Sequence, residues 1–253
     1  MEQKNWFVRM GVLLTVLSAV LYLLHYFVFR DAHHIFIFLL EDIAFVPVHV
    51  VLITLIIDKW LNWREKQATI SKLNMVVGVF FGELGTELLK LLQTFDKEPD
   101  DVAALVRVDK SWQDRHFIEV RMMLANCRMD MDSRQGDLAA LKALLGAHRR
   151  FLLTLLESPG LTQYESFTDL LLSVTHLSDE LEHRPGLDNL PAADYGHLSM
   201  DIKRAYRHML SEWLRNMNHL RRDYPYLYSL ALRTNPFDPE ASVIIESGNG
   251  EKE

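Results

Sequence analysis

Residues 35–57 read IFIFLLEDIAFVPVHVVLITLII, and the only formal charges in the stretch are the adjacent Glu41 and Asp42. A helix of that length reaches about 34 Å, enough to cross a bilayer core of about 30 Å. Just upstream, residues 10–29 form a second run without formal charge, about 30 Å long as a helix. The link between them, Arg30-Asp31-Ala32-His33-His34, has room only for a tight turn. In lipid every backbone polar group must find its partner within the segment, so both runs are expected to be helices of a transmembrane hairpin over residues 1–57. The first run is too long for a signal peptide, and no small-x-small cleavage pattern follows it.

The flanks set the expected orientation. Lys4 and Arg9 precede the first run, and Lys59, Arg64, Lys66 and Lys72 follow the second. The turn holds only Arg30, offset by Asp31. Positive flanks inside put both termini in the cytoplasm, with Trp6, Trp60 and Trp63 as interfacial anchors on that side. An inner or plasma membrane location follows.

The acidic pair is the unusual feature of the hairpin. On an insertion scale the 17 Val, Ile, Leu and Phe residues of 35–57 contribute on the order of −5 to −10 kcal/mol, and two central carboxylates cost about 5–7. Charges that erode so much of the gain should face protein or water. At about 100° per residue His34, Glu41, Asp42 and His49 share one helix face, and His25 of the first run is a candidate partner across the hairpin. Pro47 removes a backbone donor, and a kink is expected there. Three readings remain open at this point: an ion or proton path, polar glue between helices, and a first turn that only skims the interface.

The rest of the chain bounds the function. Residues 96–253 hold 19 Lys or Arg against 26 Asp or Glu, which argues against a nucleic-acid partner. A lone cysteine, Cys127, rules out an intrachain disulfide and reads as a small buried hydrophobe. No Gly-rich phosphate loop, His-Glu-x-x-His motif or Gly-x-Ser-x-Gly elbow is present.

All long segments show helical spacing. Residues 58–95 are expected to form a juxtamembrane amphipathic helix, with Gly78 and Gly82 as a small-xxx-small contact face. Residues 96–237 are expected to form a cytosolic helical bundle. Asp96 to Asp101 read as a linker, and Ser111 with Asp114 as a capping pair for a helix to about Cys127. A helix over about 136–157 carries Leu138, Leu141, Leu145, Leu152 and Leu156 as its core stripe. Thr162 with Glu165 make a capping box for a helix to His183, with Phe167, Leu170, Leu171, Val174, Leu177 and Leu181 inward. Long and short helices then run over about 194–222 and 225–233. Residues 238–253 read as a disordered acidic tail.

Two patterns in the bundle resemble metal-ligand spacing. Glu180 and His183 match the Glu-x-x-His step of di-iron bundles, with His176 one turn earlier, and Asp194 and His197 offer a second carboxylate–imidazole pair. Against them, His183 adjoins a Pro-Gly stop and Asp194 sits where an N-cap belongs. Arg221 to Tyr228 mix aromatic and basic residues, as an interfacial foot or simple edge packing would.

The sequence thus predicts an all-α protein: a two-helix transmembrane hairpin followed by a cytosolic bundle. The bundle is expected to be a non-enzymatic interaction or regulatory module, homo-oligomeric and without a cofactor; the residues name no protein partner. A small oligomeric channel lined by Glu41 and Asp42, with His34, His49 and His25 as relays, is the second reading. A metal-dependent bundle enzyme is the third.

Overall fold

The computed structural model describes residues 2–158, 160, 161 and 164–244, and among these residues it is all-α. Two units are resolved, residues 1–66 and 67–253, and the division falls within one long helix.

In the first unit, α1 (Glu2–Phe29) is followed by α2 (Ala32–Phe80). The turn is tighter than five residues. Arg30 takes a left-handed φ of 50°, and Asp31 caps α2 by accepting from the backbone N–H groups of His33 and His34 at 3.0 and 3.2 Å. Pro47 lies inside α2. Each helix contains a segment long and apolar enough to cross a membrane, and none of either segment is buried within the protein. Phe27 and Leu40 are both 71% exposed, and between residues 10 and 57 only His25 and Ile35 are even half-buried.

The second unit has a continuous core. The C-terminal part of α2 supplies Leu73, Val77 and Phe80, so this part is built into the bundle. A π-helical turn, Phe81–Gly85, joins α2 to α3 (Thr86–Gln93). Thr86 completes it: its N–H reaches back five residues to the Phe81 carbonyl, and its Oγ1 donates to the same oxygen at 2.8 Å. Then follow α4 (Pro99–Val106), α5 (Asp114–Asn126), α6 (Leu138–Ala147), α7 (Arg149–Leu156), α8 (Glu165–Glu182), α9 (Ala192–Asp223) and α10 (Pro225–Arg233). The 32-residue α9 is the spine, against which α8, α5, α10 and α3 pack. All six inward residues expected on α8 are fully buried.

Several local readings are corrected. The expected linker at 96–101 is the start of α4: Pro99 occupies the first turn, Asp100 and Asp101 follow it at the positive end of the helix dipole, and Asp96 is buried. Ser111 does not cap α5, because Asp109 captures its N–H and hydroxyl; Gln113 and His116 form the capping box instead. The expected helix over 136–157 is broken at His148, whose Nδ1 lies 2.9 Å from the Leu144 carbonyl. The break shifts the buried stripe by one position, so Leu155 is buried and Leu156 only partly. Thr162, expected to cap α8, lies outside the described residues, as do residues 245–253 of the expected tail. The start of that tail is tied down, with Asp238 accepting from Arg107 at 2.7 Å. Cys127 is half-buried.

Candidate metal centre

Two one-turn pairs face each other between α8 and α9. His176 and Glu180 stand four residues apart on α8, and His197 and Asp201 four apart on α9. The helices run antiparallel here, so the earlier residue of each pair meets the later residue of the other. His176 Nε2 is 3.5 Å from Asp201 Oδ2, and His197 Nε2 is 3.6 Å from Glu180 Oε2. Within the pairs the separations are 3.9 Å and 3.3 Å. The four ligand atoms all lie within 4.8 Å of one another.

The cluster has a buried floor and an open rim. Asp201 is 2% exposed, whereas the side chains of His176 and His197 are 46% and 45% exposed. Arg204 donates to Asp201 Oδ1 at 2.8 Å and so fixes the carboxylate, while Oδ2 is buried without a hydrogen bond. Arg184 does the same for Glu180, donating to Oε2 at 2.8 Å, and holds that carboxyl below its usual range. Arg184 also grips Asp194 through two parallel bonds of 2.9 and 2.6 Å. Asp194 is thereby committed to a salt bridge. His183 is also committed, with Nδ1 2.7 Å from the Asp179 carbonyl one turn back.

This arrangement suits a divalent transition metal. Four donors on a tetrahedron of about 2.0–2.1 Å bonds stand about 3.3–3.4 Å apart, close to the shortest separations in the cluster. A mixed imidazole and carboxylate set accepts zinc, iron, manganese, cobalt or nickel. Arg204, on the Asp201 oxygen turned away from the imidazoles, is the kind of outer partner such ligands use. The half-exposed imidazoles leave one side accessible to water or a further ligand.

Of the candidates read from the sequence, His176, Glu180 and His197 come together, and His183 and Asp194 do not join them. Asp201 was not singled out. It stands one turn after His197, and that His-x-x-x-Asp step was the signal in the sequence that could have found it.

The hairpin candidates separate in the same way. Tyr22 Oη donates to Asp42 Oδ2 at 3.3 Å, and these two with His25 line a small cavity of about 440 Å³. His34 and His49 lie against Phe38 and Phe45 on their own helix, with ring centroids 5.1 and 5.0 Å apart, and Glu41 is exposed outside the cavity. Gly78 would bring a Cβ to 3.9 Å from Asn216 Oδ1, and Gly82 faces open space. Gly85 nearby is tight: a Cβ there would meet the Phe81 ring at 2.6 Å.

Fold and cluster together define a class: an all-helical protein with two N-terminal helices of membrane-crossing length and a bundle carrying two histidines and two carboxylates at one point. The chain belongs to the MJ1433 family. Residues 69–233 match the family described as "Uncharacterized protein MJ1433, C-terminal helical domain", and residues 2–61 match "MJ1433, N-terminal helical domain". It is similar to "Uncharacterized protein MJ1433" of Methanocaldococcus jannaschii, with 42% identity over 246 residues covering 97% of this chain and 98% of the relative. No solved structure matches it.

Proposed function

We propose that the protein is a membrane-anchored metal-binding module. Residues 10–57 cross the bilayer twice with both termini in the cytoplasm, and the bundle holds one divalent transition-metal ion between His176, Glu180, His197 and Asp201. The observation that carries the metal reading is Asp201. Its Oδ2 is buried, has no hydrogen bond, and lies 3.5 and 3.3 Å from the Nε2 atoms of His176 and His197. A buried carboxylate oxygen without a hydrogen bond is costly, and a cation at the centre of the cluster would be coordinated by it and by the two imidazoles. Support for the membrane reading is the length and full exposure of the two apolar segments. Lipid or a second copy of the hairpin would cover them, which is why self-association remains part of the reading.

Asp42 fits helix–helix glue better than an ion path, because its contact is to Tyr22 of α1 while Glu41, His34 and His49 do not share that cavity. In this reading the metal regulates or stabilises the bundle, and its open side admits a water or a partner's ligand.

The test is metal content of the full chain purified in detergent and loaded in turn with zinc, manganese and iron(II). About one ion per chain is expected. Asp201→Asn, which removes a proposed ligand oxygen, should weaken binding by at least the roughly 10–100-fold typical of a lost outer partner, and His183→Gln should leave it unchanged. No stoichiometric ion after loading, or equal losses in the two variants, overturns the metal reading. A chain that stays in solution without detergent overturns the membrane reading separately.

A further inference from the structure

The bundle has a second polar centre, away from the histidine–carboxylate cluster, made of two adjoining cavities. One, of about 880 Å³, is lined by Arg121, Arg215, Arg222 and Tyr164. The other, of about 480 Å³, is lined mainly by apolar groups, among them Met75, Val79, Trp213, Leu227 and Leu230, with Gly82 open at its wall. Asn74, His219 and Tyr224 line both.

The arginine cavity carries excess positive charge. Asp223 is the acidic residue in its lining, and it is taken up by His219 at 2.7 Å. Arg215 donates to the neutral Ser166 hydroxyl at 2.7 Å, and Arg121 approaches Ser211 Oγ at 3.4 Å. Behind them, Glu212 is 1% exposed and lies 3.4 Å from Arg215 Nε, one buried carboxylate against two guanidiniums. Each guanidinium has five N–H donors, more than the contacts to Ser166, Ser211 and Glu212 take up. Burial, and then the neighbouring Arg215 charge, lower the proton affinity of Arg121, as expected for two cations held side by side.

We propose that the two cavities form one site for an anionic membrane lipid, with its phosphate between Arg121, Arg215 and Arg222 and its hydrocarbon along the Met75–Val79–Leu230 groove. Guanidiniums grip phosphate through paired N–H bonds. The adjoining apolar cavity explains why the ligand is an amphiphile: large exposed side chains, Met75 at 53% and Val79 at 54%, line it beside the cationic end. Both cavities fall within the usual range for small-molecule sites. Basic pockets of this kind take lipid headgroups where a bilayer supplies them. The source of the lipid rests on the membrane reading; the chemistry of the site does not, and neither depends on the metal.

The experiment is native mass spectrometry of the full chain released from maltoside micelles, titrated with dioctanoyl phosphatidic acid, dioctanoyl phosphatidylcholine and inorganic phosphate. Phosphatidic acid should bind at least about tenfold more tightly than either of the others, since each buried methylene is worth about fourfold and each charge-assisted pair about tenfold. Arg121→Gln should lower the phosphatidic acid affinity about tenfold and leave phosphatidylcholine unchanged. Gly82→Leu, which fills the groove where no atom lies within 4 Å, should weaken phosphatidic acid and not phosphate. Unchanged unfolding midpoints and unchanged metal uptake in both variants separate these effects from misfolding and from the cluster. Equal affinity for the two lipids removes the arginines from the site, equal affinity for phosphatidic acid and phosphate removes the groove, and no binding of any of the three, or no effect of either variant, overturns the proposal.

Discussion

The hairpin and the bundle use similar apolar side chains in opposite ways. Phe27, Leu40 and Ile56 present 66–71% of their surface outward, whereas Phe80, Phe167 and Leu177 present none. In the bundle, burying apolar area at about 25 cal/mol per Å² decides which face of each helix turns inward. On the proposed membrane reading no such force operates between the helices of the hairpin, where Tyr22 makes a polar contact to Asp42. Two aspartates make the same contrast. Asp42 sits on an uncovered helix and finds a hydroxyl; Asp201 is sealed into a core and leaves one oxygen aimed at two imidazoles.

The largest effect expected from this contrast is a truncation. Phe167 is fully buried and meets the Phe80 ring edge-on at 5.5 Å. Phe167→Ala should destabilise the bundle by about 3–5 kcal/mol, read by denaturant unfolding of the full chain in detergent. The same truncation at Phe27 should cost no more than about 0.5 kcal/mol. Equal costs would break the comparison, because they would mean that the outward face of the hairpin is packed.

A smaller effect comes from the π-helical turn. Gly85→Ala pushes a methyl group into the Phe80 and Phe81 rings and should cost about 1–3 kcal/mol, whereas Gly82→Ala, three residues earlier, has free space and should be close to neutral. Thermal unfolding of the two variants side by side sharpens the comparison. If Gly82→Ala proves the costlier, the open face at Gly82 is a contact surface after all.

Periodicity made most of the bundle legible, because burial enforces it. Phe167 to Leu181 on α8 read correctly from spacing alone. The errors fall where a short-range polar contact competes with the helical pattern. His148 lies against a carbonyl and breaks a helix that leucine spacing carries straight through. Asp109 takes the serine that looked like a cap. The acidic run after Asp96 resembles a linker, although proline followed by acids is also how a helix begins.

The histidine–carboxylate cluster was half legible for a different reason. A spacing of four is visible within one helix, so His176 with Glu180 could be found. Which turn of α9 faces it depends on the register between two helices, and no local pattern encodes that. Asp194 and His183, already disfavoured by their places at helix ends, are taken up by Arg184 and the Asp179 carbonyl.

The smallest predicted effect tests the hairpin side of the contrast. Tyr22→Phe removes only the hydroxyl that donates to Asp42. Hydrogen bonds between membrane helices average about 0.6 kcal/mol and reach about 1.7 at most, because the separated helices also find partners for their polar groups. A loss in that range is expected when hairpin opening is measured by detergent titration. In an Asp42→Ala background, where the acceptor is already gone, the same substitution should have no effect. If the two losses simply add, the tyrosine and the aspartate do not act as a pair, and Asp42 is free to serve the ion path that its contact with Tyr22 argues against.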